Sequence, residues 1–100
     1  MTTDELISLE VFCTREGVEI SFVRALHDRG LIRVTIVEQQ DLLEPAMLPH
    51  IEKLARMHYD LDINLEGIEA ISHLLERMEH LQAEMRSLRD RLKLYEADEP

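Results

Sequence analysis

Eight apolar residues fix what the last third of this chain folds into. Ile71, Leu74, Met78, Leu81, Met85, Leu88, Leu92 and Tyr95 follow one another at alternating spacings of three and four, without a break. An α-helix turns every 3.6 residues, so this alternation lines up all eight side chains in one narrow stripe. They are the a and d positions of four successive heptads. The helix that carries them is predicted to run from Leu65 to about Ala97, with Asn64 as its cap. From Ile71 to Tyr95 it measures about 36 Å at 1.5 Å per residue. A chain of 100 residues has too small a body to cover that length. The stripe therefore needs a partner helix, and a second copy of the chain is the expected one. In a parallel pair, Glu84 meets Arg89 and Arg91 meets Glu96 across the g and e positions. An antiparallel pair is the alternative, since exposed charges set orientation only weakly. Packing of the stripe onto the chain's own helices is the other.

Upstream, short helices and glycines alternate. Ser8 is placed to cap a helix over Leu9 to Glu16, with Leu9, Phe12 and Cys13 on one face and Gly17 beyond its end. A second helix is predicted from about Glu19 to Arg29, with Ile20, Val23 and Leu26 at helical spacing and Gly30 as its stop. Two short helices joined by a tight glycine turn form a helix-turn-helix. Leu31 to Val37 then changes period: Ile32, Val34 and Ile36 alternate with Arg33 and Thr35, which reads as a strand. A polar turn over Glu38 to Asp41 and a short return strand at Leu42-Leu43 complete a β-wing. Pro45 and Pro49 flank the start of a third helix reaching about Tyr59, and Asp60 to Ile63 is a break. The expected fold is mainly α: a winged helix-turn-helix body over residues 1–63, a long coiled-coil helix over 64–97 and an acidic tail over 98–100.

Charge narrows the function. Twenty-one Asp and Glu against 11 Lys and Arg leave a net charge of -10. Residues 34–76 hold nine of the acids against only Lys53 and Arg56, and no Lys or Arg lies between Met57 and Glu76. Nucleic acids and anionic membranes both demand a cationic face, so neither is the expected partner. A DNA-reading second helix needs cations around its N-terminal end. Here that end offers Glu19, Ser21, Phe22 and Arg24, and the wing offers Glu38, Gln39, Gln40 and Asp41. Ser21 and Arg24 are the residues a DNA-binding reading would rely on. An acidic surface keeps a small protein soluble, and it also steers and selects a basic protein partner. The densest acidic cluster is Asp60, Asp62, Glu66 and Glu69, with Phe22 as a further candidate if its ring is exposed.

No catalytic constellation stands out, and no enzymatic activity is expected. Cys13 lies on an apolar helix face and reads as a buried thiol. One cysteine makes no internal disulfide. The five histidines, His27, His50, His58, His73 and His80, lack the cysteine partners of structural zinc sites. His58 falls on an apolar stripe and reads as a hydrogen-bonded core histidine, the others as surface residues. No metal and no cofactor are expected. The acidic start, with no long apolar run, reads as a soluble cytoplasmic chain.

The order helix-turn-helix, wing, two further helices and coiled coil resembles the MerR family. Ser8-Leu9-Glu10-Val11-Phe12-Cys13 through Gly17-Val18, and Val23-Arg24 to Arg29-Gly30-Leu31-Ile32, are similar to that family's first helices and the approach to its first strand. More narrowly, the sequence resembles the CbpM family of chaperone modulators. The resemblance lies in Phe12-Cys13 with Gly17-Val18, in Gly30-Leu31-Ile32 and in Asn64-Leu65-Glu66-Gly67-Ile68. It continues through His80-Leu81-Gln82 to Leu88-Arg89-Asp90-Arg91-Leu92, so that about residues 5–95 are covered. It implies a protein-binding module that engages the J-domain of a DnaJ-like, CbpA-like co-chaperone and inhibits its work with a DnaK-type Hsp70. J-domains meet Hsp70 through a basic helix, which an acidic competitor would occupy. The sequence departs from a generic MerR regulator at the basic residues of the second helix and wing. It also places no effector domain or metal-binding cysteine loop after the coiled coil. The alternative function is a MerR-like DNA-binding transcriptional regulator.

Overall fold

A computed structural model describes residues 5–97; the acidic tail expected at 98–100 lies outside the described residues. In chain order the elements are strand β1 (Ile7–Ser8), helices α1 (Leu9–Glu16) and α2 (Ile20–Asp28), strands β2 (Thr35–Val37) and β3 (Gln40–Leu43), a 3-10 turn (Pro45–Met47), and helices α3 (Leu48–Tyr59) and α4 (Leu65–Ala97). The fold is mainly α, a winged helix-turn-helix with a small hairpin wing and a long C-terminal helix, as the sequence leads one to expect. The chain divides into two compact units inside α4, between Glu69 and Ala70.

The first unit is built on local signals. The Ser8 hydroxyl accepts from the Val11 N–H at 3.4 Å and caps α1. Gly17 ends that helix at φ 68°, and the Val18 N–H donates to the Cys13 carbonyl at 3.0 Å. Gly30 repeats the device at φ 75°, with the Leu31 N–H on the Leu26 carbonyl. Glycine adopts this left-handed conformation without a Cβ penalty, so both helices stop where the sequence says. Their apolar faces then meet. Leu9, Phe12 and Cys13 of α1, Phe22, Val23 and Leu26 of α2, and Ile51, Leu54 and Ala55 of α3 form one core with Ile32, Leu43 and Ile68. Full burial of each large side chain contributes about 1.5–3 kcal/mol.

The sheet differs from the sequence reading in three ways. It has three antiparallel strands, in the order β1-β3-β2, rather than a bare hairpin. Residues Ile7 and Ser8 pair with Leu43 and Leu42, a link between segments too distant to be read locally. The strand expected from Leu31 starts only at Thr35. Ile32 is 3% exposed and Ile36 is 68% exposed, so the two do not share a face. The irregular stretch before Thr35 breaks the two-residue alternation, and its phase does not carry through. The wing turn itself is tight. Val37 pairs with Gln40, leaving Glu38 and Gln39 as a two-residue loop at φ 50° and 67°. Positive φ at both central positions is the I′ geometry whose twist suits a hairpin.

Pro49 sits in the first turn of α3, where its missing N–H has no intrahelical role. At the far end the Leu61 N–H reaches the Arg56 carbonyl at 3.2 Å and the Ile63 N–H reaches the Met57 carbonyl at 3.0 Å. His58 Nδ1 donates to the Ile63 carbonyl at 2.9 Å, so this histidine is hydrogen-bonded within the fold, as expected. The Asn64 side chain then accepts from the Gly67 N–H at 2.8 Å and starts α4.

The second unit is the continuation of α4 from Ala70, helical to Ala97. Ile71 is half-buried. Leu74, Met78, Leu81, Met85, Leu88, Leu92 and Tyr95 are all between 52% and 74% exposed. Among the described residues, no helix is long and apolar enough to cross a membrane.

Candidate functional site

The N-terminal end of α2 is where a helix-turn-helix presents side chains to DNA. The Ser21 hydroxyl there donates to the Glu19 carboxylate at 3.5 Å. Arg24 reaches across to the wing and pairs with Asp41 at 3.1 Å. An exposed pair of this kind contributes about 0–1 kcal/mol to stability. Its larger consequence is electrostatic: the one cation of this end of α2 is held against a carboxylate. The wing tip adds Glu38, Gln39 and Gln40, all exposed.

Phe22 is not on the surface, contrary to the exposed position entertained for it. It is 5% exposed. Its ring stacks on His58 with centroids 4.6 Å apart and stands edge-on to Tyr59 at 5.5 Å. Phe22 follows Ser21 and precedes Val23, and helical periodicity alone leaves such a position at the border of the apolar face. Contacts from α3 decide it.

The four clustered acids are not equivalent. Glu66 and Glu69 lie on the first turns of α4 and face Arg29, at 3.0 Å and 3.7 Å. The Glu66 backbone N–H and the Arg29 guanidinium hold the Glu66 carboxyl below the usual carboxylate range. Asp60 and Asp62 lie in the α3–α4 loop, are exposed, and are in no ion pair among the described residues. Asp62 sits at φ 57°, a left-handed conformation that Asp tolerates better than most residues. Leu61, between the two, is 66% exposed.

A cleft of about 350 Å³ opens between α1 and α3. Phe12, Val18 and Ala55 line it, with Tyr59 as a wall and the carboxylates of Glu16, Glu52 and Asp60 around it beside Arg56. The Tyr59 hydroxyl accepts from the Glu19 N–H at 3.0 Å, which fixes the ring. Sequence reasoning missed Glu16 and Glu52. Glu52, Arg56 and Asp60 do share one face of a helical register at four-residue intervals. Nothing local brings Glu16 to the same place.

The remaining candidates are structural. Cys13 is buried, and loss of hydration pushes its thiol pKa up, partly offset by Arg24. His50 Nε2 donates to the Leu31 carbonyl at 3.0 Å. His27, His73 and His80 are exposed. Among the described residues, no group of three or more His, Cys, Asp or Glu side chains is placed to hold a metal ion.

Comparison with known families matches residues 7–90 to the model for "MerR HTH family regulatory protein". Comparisons with curated proteins and with solved structures return no match. The matched span runs from β1 through the helix-turn-helix, wing and α3 into most of α4, and the chain belongs to the MerR HTH family of regulatory proteins.

Proposed function

We propose that this protein is a chaperone modulator: it binds the J-domain of a DnaJ-like, CbpA-like co-chaperone and inhibits its action with Hsp70. One observation carries the reading. On a scaffold whose second helix and wing ordinarily meet DNA, Arg24 is tied to Asp41, the start of α2 carries Glu19, and the wing tip carries Glu38, Gln39 and Gln40. That surface attracts a basic protein and repels a phosphate backbone. Asp60 and Asp62 of the α3–α4 loop add exposed carboxylates, while Glu66 and Glu69 are held to Arg29. The resemblance of the sequence to the CbpM family points the same way.

The protein acts as a homodimer in this reading. Seven exposed apolar residues on one helical stripe, from Leu74 to Tyr95, favour pairing with a second copy. Sedimentation of the intact chain tests it: the dimer mass is expected, and Leu81→Lys shifts it to the monomer. A monomeric wild type would refute self-association.

The test of function is calorimetric titration with a purified J-domain at low and moderate salt. Binding that weakens with salt is expected; no binding at either salt refutes the proposal. Family membership favours a second reading, a DNA-binding transcriptional regulator using Ser21 and Arg24. Retention on heparin together with a gel shift would support that reading instead.

A further inference from the structure

We infer that the α1–α3 cleft is the anchoring subsite of the acidic docking face, taking one lysine or arginine side chain from a basic helix of the protein partner. The inference rests on the proposed function and locates its contact.

Four observations converge on the cleft. Its volume, about 350 Å³, is at the small end for binding pockets, on the scale of a protruding side chain rather than a large cofactor. Its lining is chemically divided. Val18 and the half-exposed Tyr59 ring offer apolar surface, Phe12 and Ala55 being buried in the core, while Glu16, Glu52 and Asp60 outnumber Arg56. Long cationic side chains match that division, laying their methylene stem on apolar surface and keeping the charged head at the water's edge. The carboxylates are also available. Asp41, Glu66 and Glu69 face arginines within the fold, whereas Glu16, Glu52 and Asp60 are in no ion pair among the described residues. Finally, the Tyr59 wall is preorganised. Its hydroxyl is held by the Glu19 N–H, its ring packs edge-on to Phe22 and His58, and it remains 44% exposed. A fixed, half-exposed tyrosine ring is a surface for a cation. Leu61, 66% exposed beside Asp60, supplies an apolar contact next to the cleft. DNA is excluded as occupant by the sign of the charge, and an acidic peptide for the same reason.

The experiment titrates a purified J-domain into the intact wild-type chain and into three variants of equal charge change. Glu16→Lys and Glu52→Lys alter the cleft, and Glu79→Lys alters an exposed site on α4. Circular dichroism confirms that each is folded. The inference expects both cleft variants to lose about tenfold or more in affinity while Glu79→Lys loses less than about threefold. In parallel, amide shifts on wild type should centre on Gly17, Val18, Glu52 and Tyr59. If wild type binds but all three variants lose affinity equally, or the shifts centre elsewhere, the cleft is overturned and the proposed function stands. If wild type does not bind, both fall together.

Discussion

Phe22→Ala separates a core residue from a docking residue. Phe22 is 5% exposed, so nearly its whole side chain leaves water on folding. Truncating a buried phenylalanine costs about 3–5 kcal/mol, combining lost transfer energy with the cavity left behind. Of that, the stacked and edge-on contacts with His58 at 4.6 Å and Tyr59 at 5.5 Å account for about 0.5–1.5 kcal/mol each. The loss is large against the roughly 5–15 kcal/mol that holds a small domain together. At about 4 °C or more per kcal/mol in a domain of this size, Tm falls by at least about 12 °C. Phe22→Leu keeps much of the volume and loses both ring contacts, so about 1–3 kcal/mol is expected. Urea unfolding followed by circular dichroism measures both, at one fixed protein concentration because self-association feeds into apparent stability. The opposite result is equally clear. Should Phe22→Ala unfold within about 0.5 kcal/mol of wild type and yet lose J-domain binding, the ring would be a surface anchor and the burial argument would fail.

Four further outcomes follow from local geometry. Asn64→Ala removes the acceptor for the Gly67 N–H and lowers stability by about 1 kcal/mol. Gly67→Ala, despite a helix-propensity gain of about 1 kcal/mol, is expected to destabilise in the same urea assay. The new Cβ would lie 2.8 Å from Ile63 Cγ2, on a side chain stiff at χ1, and 3.1 Å from the capping oxygen. Replacing Glu38-Gln39 by Asn-Gly suits the two positive φ angles of the wing turn and raises the unfolding midpoint; an unchanged or lower midpoint would contradict the I′ assignment. Glu66 has its carboxyl pKa depressed in the folded state by its own backbone N–H and by Arg29. Its stabilising contribution is therefore complete above the unfolded value of about 4.3 and is lost as pH falls through the lower folded value. Glu66→Gln should flatten the acid side of the stability profile below about pH 5, and an unaltered slope would show that the Arg29 contact contributes nothing.

The sequence alone determined what is governed by neighbours within a few residues. Ser8 and Gly17 bound α1, Gly30 stops α2, Asn64 opens α4, and the stripe from Ile71 to Tyr95 lies on one continuous helix. Capping bonds, left-handed glycines and helical spacing act over one or two turns, so they are written directly in the order of residues. The wing was legible as a hairpin for the same reason, though not its turn, because Glu38-Gln39 lacks the usual glycine.

Tertiary structure decided the rest. Pairing of Ile7 with Leu43, burial of Phe22 under α3, the reach of Arg29 to Glu66 and the meeting of Glu16 with Glu52 each join segments more than 30 residues apart. Side-chain order carries no local record of such contacts, which depend on how the helices pack. Tertiary structure likewise resolved the acidity. The sequence showed an excess of acids in residues 34–76, and only the fold sorted those that face an arginine from those around the α1–α3 cleft. Charge is a property of composition; its availability to a partner is a property of distance.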